Sequence, residues 1–146
     1  MREESAVGSF DIVGLGEPML EFSQLPDSGD GRTFLQGFGG DTSNAIVAAA
    51  RQGARCGFVT ALGFDPFGAA LLRLWEAEGV DCSGVRRDPT APTGIYFITH
   101  GPEGHTFTYS RSGSAASHLG PEDLPEEVLK QTRFLHVSGI SQAISS

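Results

Sequence analysis

The stretch Phe38-Gly39-Gly40-Asp41-Thr42-Ser43-Asn44 runs directly into Ala45-Ile46-Val47-Ala48-Ala49-Ala50. Glycine has no Cβ, so the diglycine allows a positive φ and lets a ligand approach the backbone closely. The three polar residues after it are competent N-caps, and the alanines favour a helix over 41–51. The first-turn N–H groups of such a helix attract an anion or a polyol. The stretch therefore predicts either a ligand site at a helix N-terminus or simply a well-capped helix.

The composition is that of one globular domain that does not bind nucleic acid. The 146 residues are 39% apolar, enough for a core, and the formal net charge of −8 disfavours contact with phosphate backbones. The apolar runs are too short to span a membrane, and the polar residues 1–9 do not resemble a targeting peptide. We therefore expect a cytoplasmic protein without nucleic-acid or membrane partners.

The cysteines and histidines give no sign of a metal site. Cys56 and Cys82 are the only cysteines, and neither they nor the four histidines show metal-ligand spacing. Without an apparent secretory signal, both cysteines are expected to be reduced thiols. The sequence predicts no metal ligand in this chain.

Strand and helix patterns alternate along the chain, as they do in α/β proteins. Phe10–Gly16 predicts a buried parallel strand, and residues 56–62 predict the next strand after the helix over 41–51. Such a strand–helix–strand unit is expected to be parallel and right-handed. Asp65-Pro66 suits the start of a second helix, and residues 133–140 predict another core strand.

The glycines of the first strand do not form a dinucleotide fingerprint. Gly14-Leu15-Gly16 supplies two of the three glycines, but Met19 stands in the place of the third. Pro18 also interrupts the helix that should follow, and no Walker-type sequence occurs anywhere in the chain. A Rossmann cofactor site is therefore not expected.

Two strand pairs leave the α/β pattern. Residues 17–23 and 33–36 alternate polar and apolar side chains across a Pro- and Gly-containing loop. Residues 93–99 and 106–111 are rich in β-branched and aromatic residues and form the clearest hairpin in the chain. These patterns predict two pairs of short strands.

Binding chemistry is expected at Tyr96, Tyr109 and Arg111 of the second hairpin. Arg presents a planar fork of donors that fits a carboxylate, and it stays charged at any working pH. A Tyr hydroxyl bonds a second oxygen while its ring covers a sugar. The residues alone also fit a surface pair of aromatic side chains beside a solvated Arg.

The sequence Phe-Gly-Gly-Asp-Thr-x-Asn at 38–44 resembles the first signature of the ribokinase-like (PfkB) carbohydrate kinases, most closely the 2-keto-3-deoxygluconate kinases. Gly63-x-Asp65-x-x-Gly68 matches a second recurrent segment of that family. The resemblance implies a ribokinase-like three-layer α/β/α fold, with a parallel-rich central sheet and a small β lid. It assigns residues 10–16, 41–85 and 119–146 to the core, and residues 17–37 and 93–112 to the lid.

The resemblance also implies which residues bind the sugar acid. In 2-keto-3-deoxygluconate kinases, a Tyr on the first hairpin strand and a Tyr-x-Arg on the second perform this role. The positions implied here are Gly40, Asp41, Thr42, Ser43, Asn44, Tyr96, Tyr109, Ser110 and Arg111. Further candidates are Gly16, Glu17, Glu21, Gly139 and Ile140, although exposed strand carboxylates explain Glu17 and Glu21 equally well.

The second family signature, Asp-Thr-x-Gly-Ala-Gly-Asp, is absent, and the sequence stops at Ser146, about halfway along a family member. The resemblance places the catalytic base and the ATP pocket in that other half. No catalytic residue is thus expected in this chain, which should lack kinase activity and bind neither ATP nor Mg²⁺ by itself. The full-length enzyme is expected to use both and to form a homodimer through the β lid.

Two alternatives remain open at this point. One is a fructokinase or ribokinase of the same family, which needs no cation for its neutral sugar. The other is a non-catalytic module for sugar-acid binding or dimerisation.

Overall fold

The computed structural model describes residues 9–26 and 31–144. The strands are β1 (Phe10–Leu15), β2 (Met19–Gln24), β3 (Phe34–Gly39), β4 (Cys56–Gly63), β5 (Asp81–Asp88), β6 (Ile95–Gly101), β7 (Gly104–Ser110) and β8 (Thr132–Val137). The helices are α1 (Asp41–Arg51), α2 (Pro66–Ala77), α3 (Glu126–Lys130) and α4 (Gly139–Ile144), with 3₁₀ turns at Ala115–His118 and Pro121–Asp123.

Four strands form a parallel sheet in the order β5-β4-β1-β8. All eight residues of β4 are buried, as expected for a central strand that is covered on both faces. α1 joins lid strand β3 to β4, and α2 joins β4 to β5. The predicted α/β fold with a parallel-rich sheet is confirmed.

The core packs both long helices against β4. Phe58 of β4 and Trp75 of α2 are fully buried, and their ring centroids lie 4.7 Å apart. The Trp75 indole N–H donates to the Ser43 hydroxyl of α1 at 3.0 Å. This bond ties the two helices together and satisfies a polar group that has no access to water.

The other four strands form a separate mixed sheet in the order β3-β2-β6-β7, which we call the lid. β2 pairs antiparallel with β3 and parallel with β6, and β6 and β7 form an antiparallel hairpin. Every residue of the edge strand β7 is exposed, whereas β2 begins with two buried residues.

The end of β8 differs from the sequence prediction. The strand stops at Val137 and does not run to Ile140, because Ser138 caps a helix. The Ser138 hydroxyl accepts the Ser141 amide at 3.1 Å, the bond an N-cap serine makes. β8 is the edge strand of the core sheet, with Phe134 64% exposed, so the predicted core strand is present but ends at Val137.

One strand is longer than the sequence predicts. β3 continues through the glycines to Gly39, where it gains these residues by pairing with β2. β5, for which the sequence analysis gave no strand, forms by pairing with β4 along Asp81–Asp88.

Within residues 9–26 and 31–144, every helix is too short or too polar to span a bilayer.

Candidate functional site

A cavity of about 160 Å³ lies where the lid hairpin faces the N-terminus of α1. It is lined by Glu17, Met19, Gly40, Asp41, Tyr96, Phe107, Tyr109, Arg111, Ile140 and Ser141. A larger cavity of about 250 Å³ also borders Glu17, with mainly apolar lining residues such as Leu119 and Leu124. We take the smaller cavity as the candidate site because its lining carries charges and hydroxyls that can orient a polar ligand.

Gly40 forms the corner of this cavity. Its φ of 99° lies in the region that favours glycine, and it precedes α1 as the N-cap residue without a side chain to cap the helix. A Cβ at this position would lie 2.7 Å from the Glu17 carbonyl oxygen, which is too close for any side chain. The Asp41 carboxylate accepts the Thr42 amide at 2.8 Å at the start of the first turn. The corner thus brings backbone and a polar helix start to the ligand space.

An aromatic wall of Tyr96, Phe107 and Tyr109 closes the lid side of the cavity. Tyr96 and Tyr109 face each other across the hairpin, with ring centroids 5.6 Å apart. Phe107 and Tyr109 lie two residues apart on one face of β7 and stack at 6.2 Å. Such a wall covers one side of a sugar or of a similar small polar molecule.

Among the described residues that line the cavity, Arg111 is the only one with a positively charged side chain. Its guanidinium carbon lies 5.9 Å from the Tyr109 ring centroid, and one terminal nitrogen forms an ion pair with Glu17. The Glu17 carboxylate also accepts the Ser114 hydroxyl at 2.5 Å. The Arg111 side chain is 20% exposed and that of Glu17 only 1%, so the guanidinium is not simply solvated.

Tyr96 is held by a second carboxylate. Its hydroxyl donates to Glu21, and the residue is 8% exposed. Burial raises the pKa of Tyr96, and the hydrogen bond to the Glu21 carboxylate raises that pKa further. Gly39 makes room for the ring, since a Cβ there would overlap the Tyr96 hydroxyl. Tyr96 is therefore fixed and remains protonated at neutral pH.

The structure brings seven of the fourteen candidate residues together around the cavity. Glu17, Gly40, Asp41, Tyr96, Tyr109, Arg111 and Ile140 all line the cavity. Four other candidates do not line the cavity. Thr42 and Ser43 are buried in the core, Ser110 is exposed at the end of β7, and Asn44 lines a separate groove with Phe38 and Arg51.

The remaining candidates border the site less directly. Glu21 reaches it only through Tyr96, and Gly139 is an exposed residue at the start of α4. Gly16 lies between Thr42 and Ser141, where a Cβ would come within 2.7 Å of the Thr42 hydroxyl oxygen. The role of each as a substrate ligand stays a prediction.

The sequence reasoning missed Met19, Phe107, Ser114 and Ser141. Phe107 was detectable, because strand alternation places it on the same face as Tyr109. Ser141 carried a signal as the third helical residue after the Ser138 cap, although nothing local placed its hydroxyl 3.2 Å from the Glu17 amide. Ser114 and Met19 had no local signal, since their positions depend on how the lid returns to the core.

The chain matches a family model and curated proteins over most of its length. The family model described as pfkB family carbohydrate kinase matches residues 10–146. A 2-dehydro-3-deoxygluconokinase from Thermoproteus tenax is 34% identical to the chain, over 98% of the chain and 46% of that protein. The chain thus spans less than half the length of this curated relative.

Solved structures of other proteins share the fold of this chain. The PfkB protein from Polaromonas sp. JS666 has a TM-score of 0.86 and 36% identity, over 94% of this chain and 47% of that one. A fructokinase from Xylella fastidiosa with bound ATP has a TM-score of 0.81 and 28% identity, over 88% of this chain and 42% of that one. Both similarities cover the core sheet and the lid together, since they extend over nearly the whole chain.

Proposed function

Since the chain belongs to the pfkB family of carbohydrate kinases, we propose that it is the substrate-binding part of an ATP-dependent kinase for 2-keto-3-deoxygluconate (2-dehydro-3-deoxygluconate). The observation that carries the proposal is a single cavity that holds Arg111 on the lid side and the Gly40 corner on the core side. A relative that is a 2-dehydro-3-deoxygluconokinase supports the same substrate.

The charge of Arg111 favours an acidic sugar over a neutral one. A guanidinium at the edge of a partly closed cavity attracts a carboxylate and provides parallel N–H donors for it. In this proposal Arg111 binds the carboxylate, Tyr96 and Tyr109 cover the carbon chain, and the Gly40–Asp41 corner binds hydroxyl groups. A neutral sugar offers no carboxylate to the donors of Arg111 that the ion pair with Glu17 leaves unused.

We assign the nucleotide and its Mg²⁺ to the part of the enzyme that this chain does not span. Within residues 9–26 and 31–144, no three His, Cys, Asp or Glu side chains gather into a group that suits a metal ion. ATP supplies the γ-phosphate to the sugar acid. The residues of this chain bind that acid, orient its acceptor hydroxyl and shield it from water, and we expect no phosphoryl transfer by the 146 residues alone.

We further propose a homodimer that forms through the lid, in the reducing environment of the cytoplasm. Leu35 is 61% exposed on β3, and the edge strand β7 is exposed along its whole length. An unpaired, partly apolar sheet edge of this kind favours association with another copy.

Sedimentation of the intact gene product should show a dimer, and Leu35→Lys should shift the population toward the monomer. A monomeric wild type contradicts this proposal.

The substrate is tested by kinetics of the intact gene product with ATP and three acceptors: 2-keto-3-deoxygluconate, fructose and ribose. We expect the acid to be preferred, and Arg111→Ala to lower kcat/KM for the acid by about 100-fold, or roughly 3 kcal/mol, with little effect on a neutral sugar. Arg51→Ala is the matched control, because Arg51 pairs with Glu78 on the surface.

The other outcomes identify the alternatives. A wild type that prefers fructose or ribose is a kinase for that sugar, and the assignment of Arg111 is then wrong. A protein that binds the acid without transferring phosphate from ATP is a binding module.

A further inference from the structure

The described part of the chain passes between the core sheet and the lid four times. It does so at 16–18 between β1 and β2, at Gly40 between β3 and α1, at 89–94 between β5 and β6, and at 111–114 after β7. Glu17 lies in the first of these crossings and touches the other three. It is the residue at which the attachments of the lid converge.

Each contact of Glu17 is close. Its carbonyl oxygen lies beside Gly40, where a Cβ would be 2.7 Å away. Its Oε1 lies beside Gly94, where a Cβ would be 2.8 Å away. Its carboxylate pairs with Arg111 and accepts the Ser114 hydroxyl at 2.5 Å. The glycines at the second and third crossings therefore leave space for Glu17, and the fourth crossing supplies its bonds.

The burial of Glu17 explains why these bonds matter. The residue is 2% exposed, and a buried carboxylate is costly unless a cation and hydrogen bonds compensate it. Arg111 and Ser114, both from the segment that leaves β7, provide that compensation. Packing of this segment against Glu17 is therefore coupled to compensation of the negative charge of the buried carboxylate.

The contact with Glu17 uses only part of the guanidinium of Arg111. One terminal nitrogen pairs with Glu17 and the Nε is buried, so the remaining terminal N–H groups are the donors left for a ligand in the cavity that Arg111 lines. A guanidinium has five N–H donors in a rigid plane, so fixing one edge fixes the direction of the others. Glu17 thus determines how Arg111 presents its remaining donors to the cavity.

We propose that Glu17 is a positioning residue and not a substrate ligand. Its carboxylate holds the Arg111 guanidinium in the orientation that receives the acid, and it fastens the lid to the core. The part of this inference that concerns the acid rests on the proposed function. The part that concerns the lid does not.

The first test compares Glu17→Gln, Arg111→Ala and the double variant in the intact gene product, with 2-keto-3-deoxygluconate and fructose as probes. We expect Glu17→Gln to weaken binding of the acid about 10-fold by calorimetry while kcat changes less than about 3-fold. The double variant should bind no more weakly than Arg111→Ala, because Glu17 acts through Arg111. Glu76→Gln, an exposed carboxylate of α2, is the matched control.

The second test needs no ligand. Amide hydrogen exchange should become faster in β6 and β7 of Glu17→Gln, while exchange in β4 stays as in the wild type. If Glu17→Gln does not fold, Ser114→Ala replaces it, since that change removes one bond to Glu17 and leaves Arg111 in place; both effects should then be smaller and in the same direction.

Three results overturn the proposal: acid binding that is unchanged or tighter in Glu17→Gln, losses that multiply in the double variant, or unchanged exchange in the lid. A wild type that does not bind the acid refutes the proposed function instead. The exchange measurement then decides the role of Glu17.

Discussion

The Asp65 carboxylate accepts two hydrogen bonds from Thr93, one from the backbone amide at 2.8 Å and one from the hydroxyl at 2.9 Å. The same carboxylate caps α2 by accepting the Gly68 amide at 2.8 Å. Thr93 lies just before β6, the strand that carries Tyr96. Asp65 therefore joins a core helix to the base of the lid hairpin.

Asp65→Ala should lower the free energy of unfolding by roughly 2–4 kcal/mol, because it removes a helix cap and two further bonds to a charged group. Thr93→Val is the companion variant: it keeps the cap and removes the hydroxyl, which donates to Asp65 and also accepts the buried Gly63 amide at 3.0 Å. We expect both variants to be less stable than the wild type in urea denaturation. Unchanged stability of Asp65→Ala would contradict the role of Asp65 as cap and as link to the lid hairpin.

Asp88 should make stability depend on pH in the acid range. Hydrogen bonds from the Thr90 and Ala91 amides and from the Thr90 hydroxyl lower the pKa of Asp88 to about 2. A folded-state pKa below the unfolded value of about 3.9 means that the stabilisation is present above pH 4 and is lost as the pH falls toward 2. Urea denaturation of Asp88→Asn between pH 6 and 2.5 should show a flatter decline than the wild type. Parallel curves contradict the assignment.

Glu21 should contribute to the raised pKa of Tyr96. Burial raises this pKa most, and the hydrogen bond to the Glu21 carboxylate raises it further, so Glu21→Gln should lower the pKa of Tyr96 and leave it above the usual value of about 10. The measurement is an NMR titration of the Tyr96 ring in a Tyr109→Phe background, which leaves a single tyrosine. An unchanged titration curve would mean that burial alone sets the pKa.

Gly40→Ala should destabilise the protein more than Gly53→Ala. Both glycines have positive φ values, 99° and 88°. A Cβ on Gly53 meets nothing within 4 Å, whereas one on Gly40 meets the Glu17 carbonyl and the Pro18 backbone. Gly53→Ala should cost only the left-handed strain of about 1–2 kcal/mol, and Gly40→Ala should exceed it. Equal unfolding free energies for the two variants would show that the corner relaxes.

Ser43→Ala should reduce stability without affecting ligand binding. Removing the hydroxyl leaves the buried Trp75 indole N–H without its partner, at a cost of about 1–3 kcal/mol. Ser43 does not line the cavity, so calorimetry with 2-keto-3-deoxygluconate should give a Kd within about 2-fold of the wild type. A large loss of affinity at unchanged stability would make Ser43 a ligand after all.

Local signals in the sequence specified the elements well. The helix over 41–51 occurs as predicted, and the second helix begins at Pro66 with Asp65 as its cap, where the sequence placed its start. Caps, glycine stops and helical periodicity depend only on neighbouring residues, so they can be recognised without the fold. The end of β3 could not be located, because strand length depends on pairing with a distant strand, and the Ser138 cap that ends β8 was not recognised.

The candidate site, like the fold, was predictable from the sequence only in its local features. The sequence by itself determined the aromatic face of the hairpin and the diglycine corner, since alternation and the absence of a Cβ are properties of short segments. Only the tertiary structure decided that Glu17 is buried and bonded to Ser114, which is 97 residues away. It also decided that Ser43 bonds Trp75 in the core. Burial and charge pairing depend on how the lid returns to the core sheet, and no local pattern specifies that.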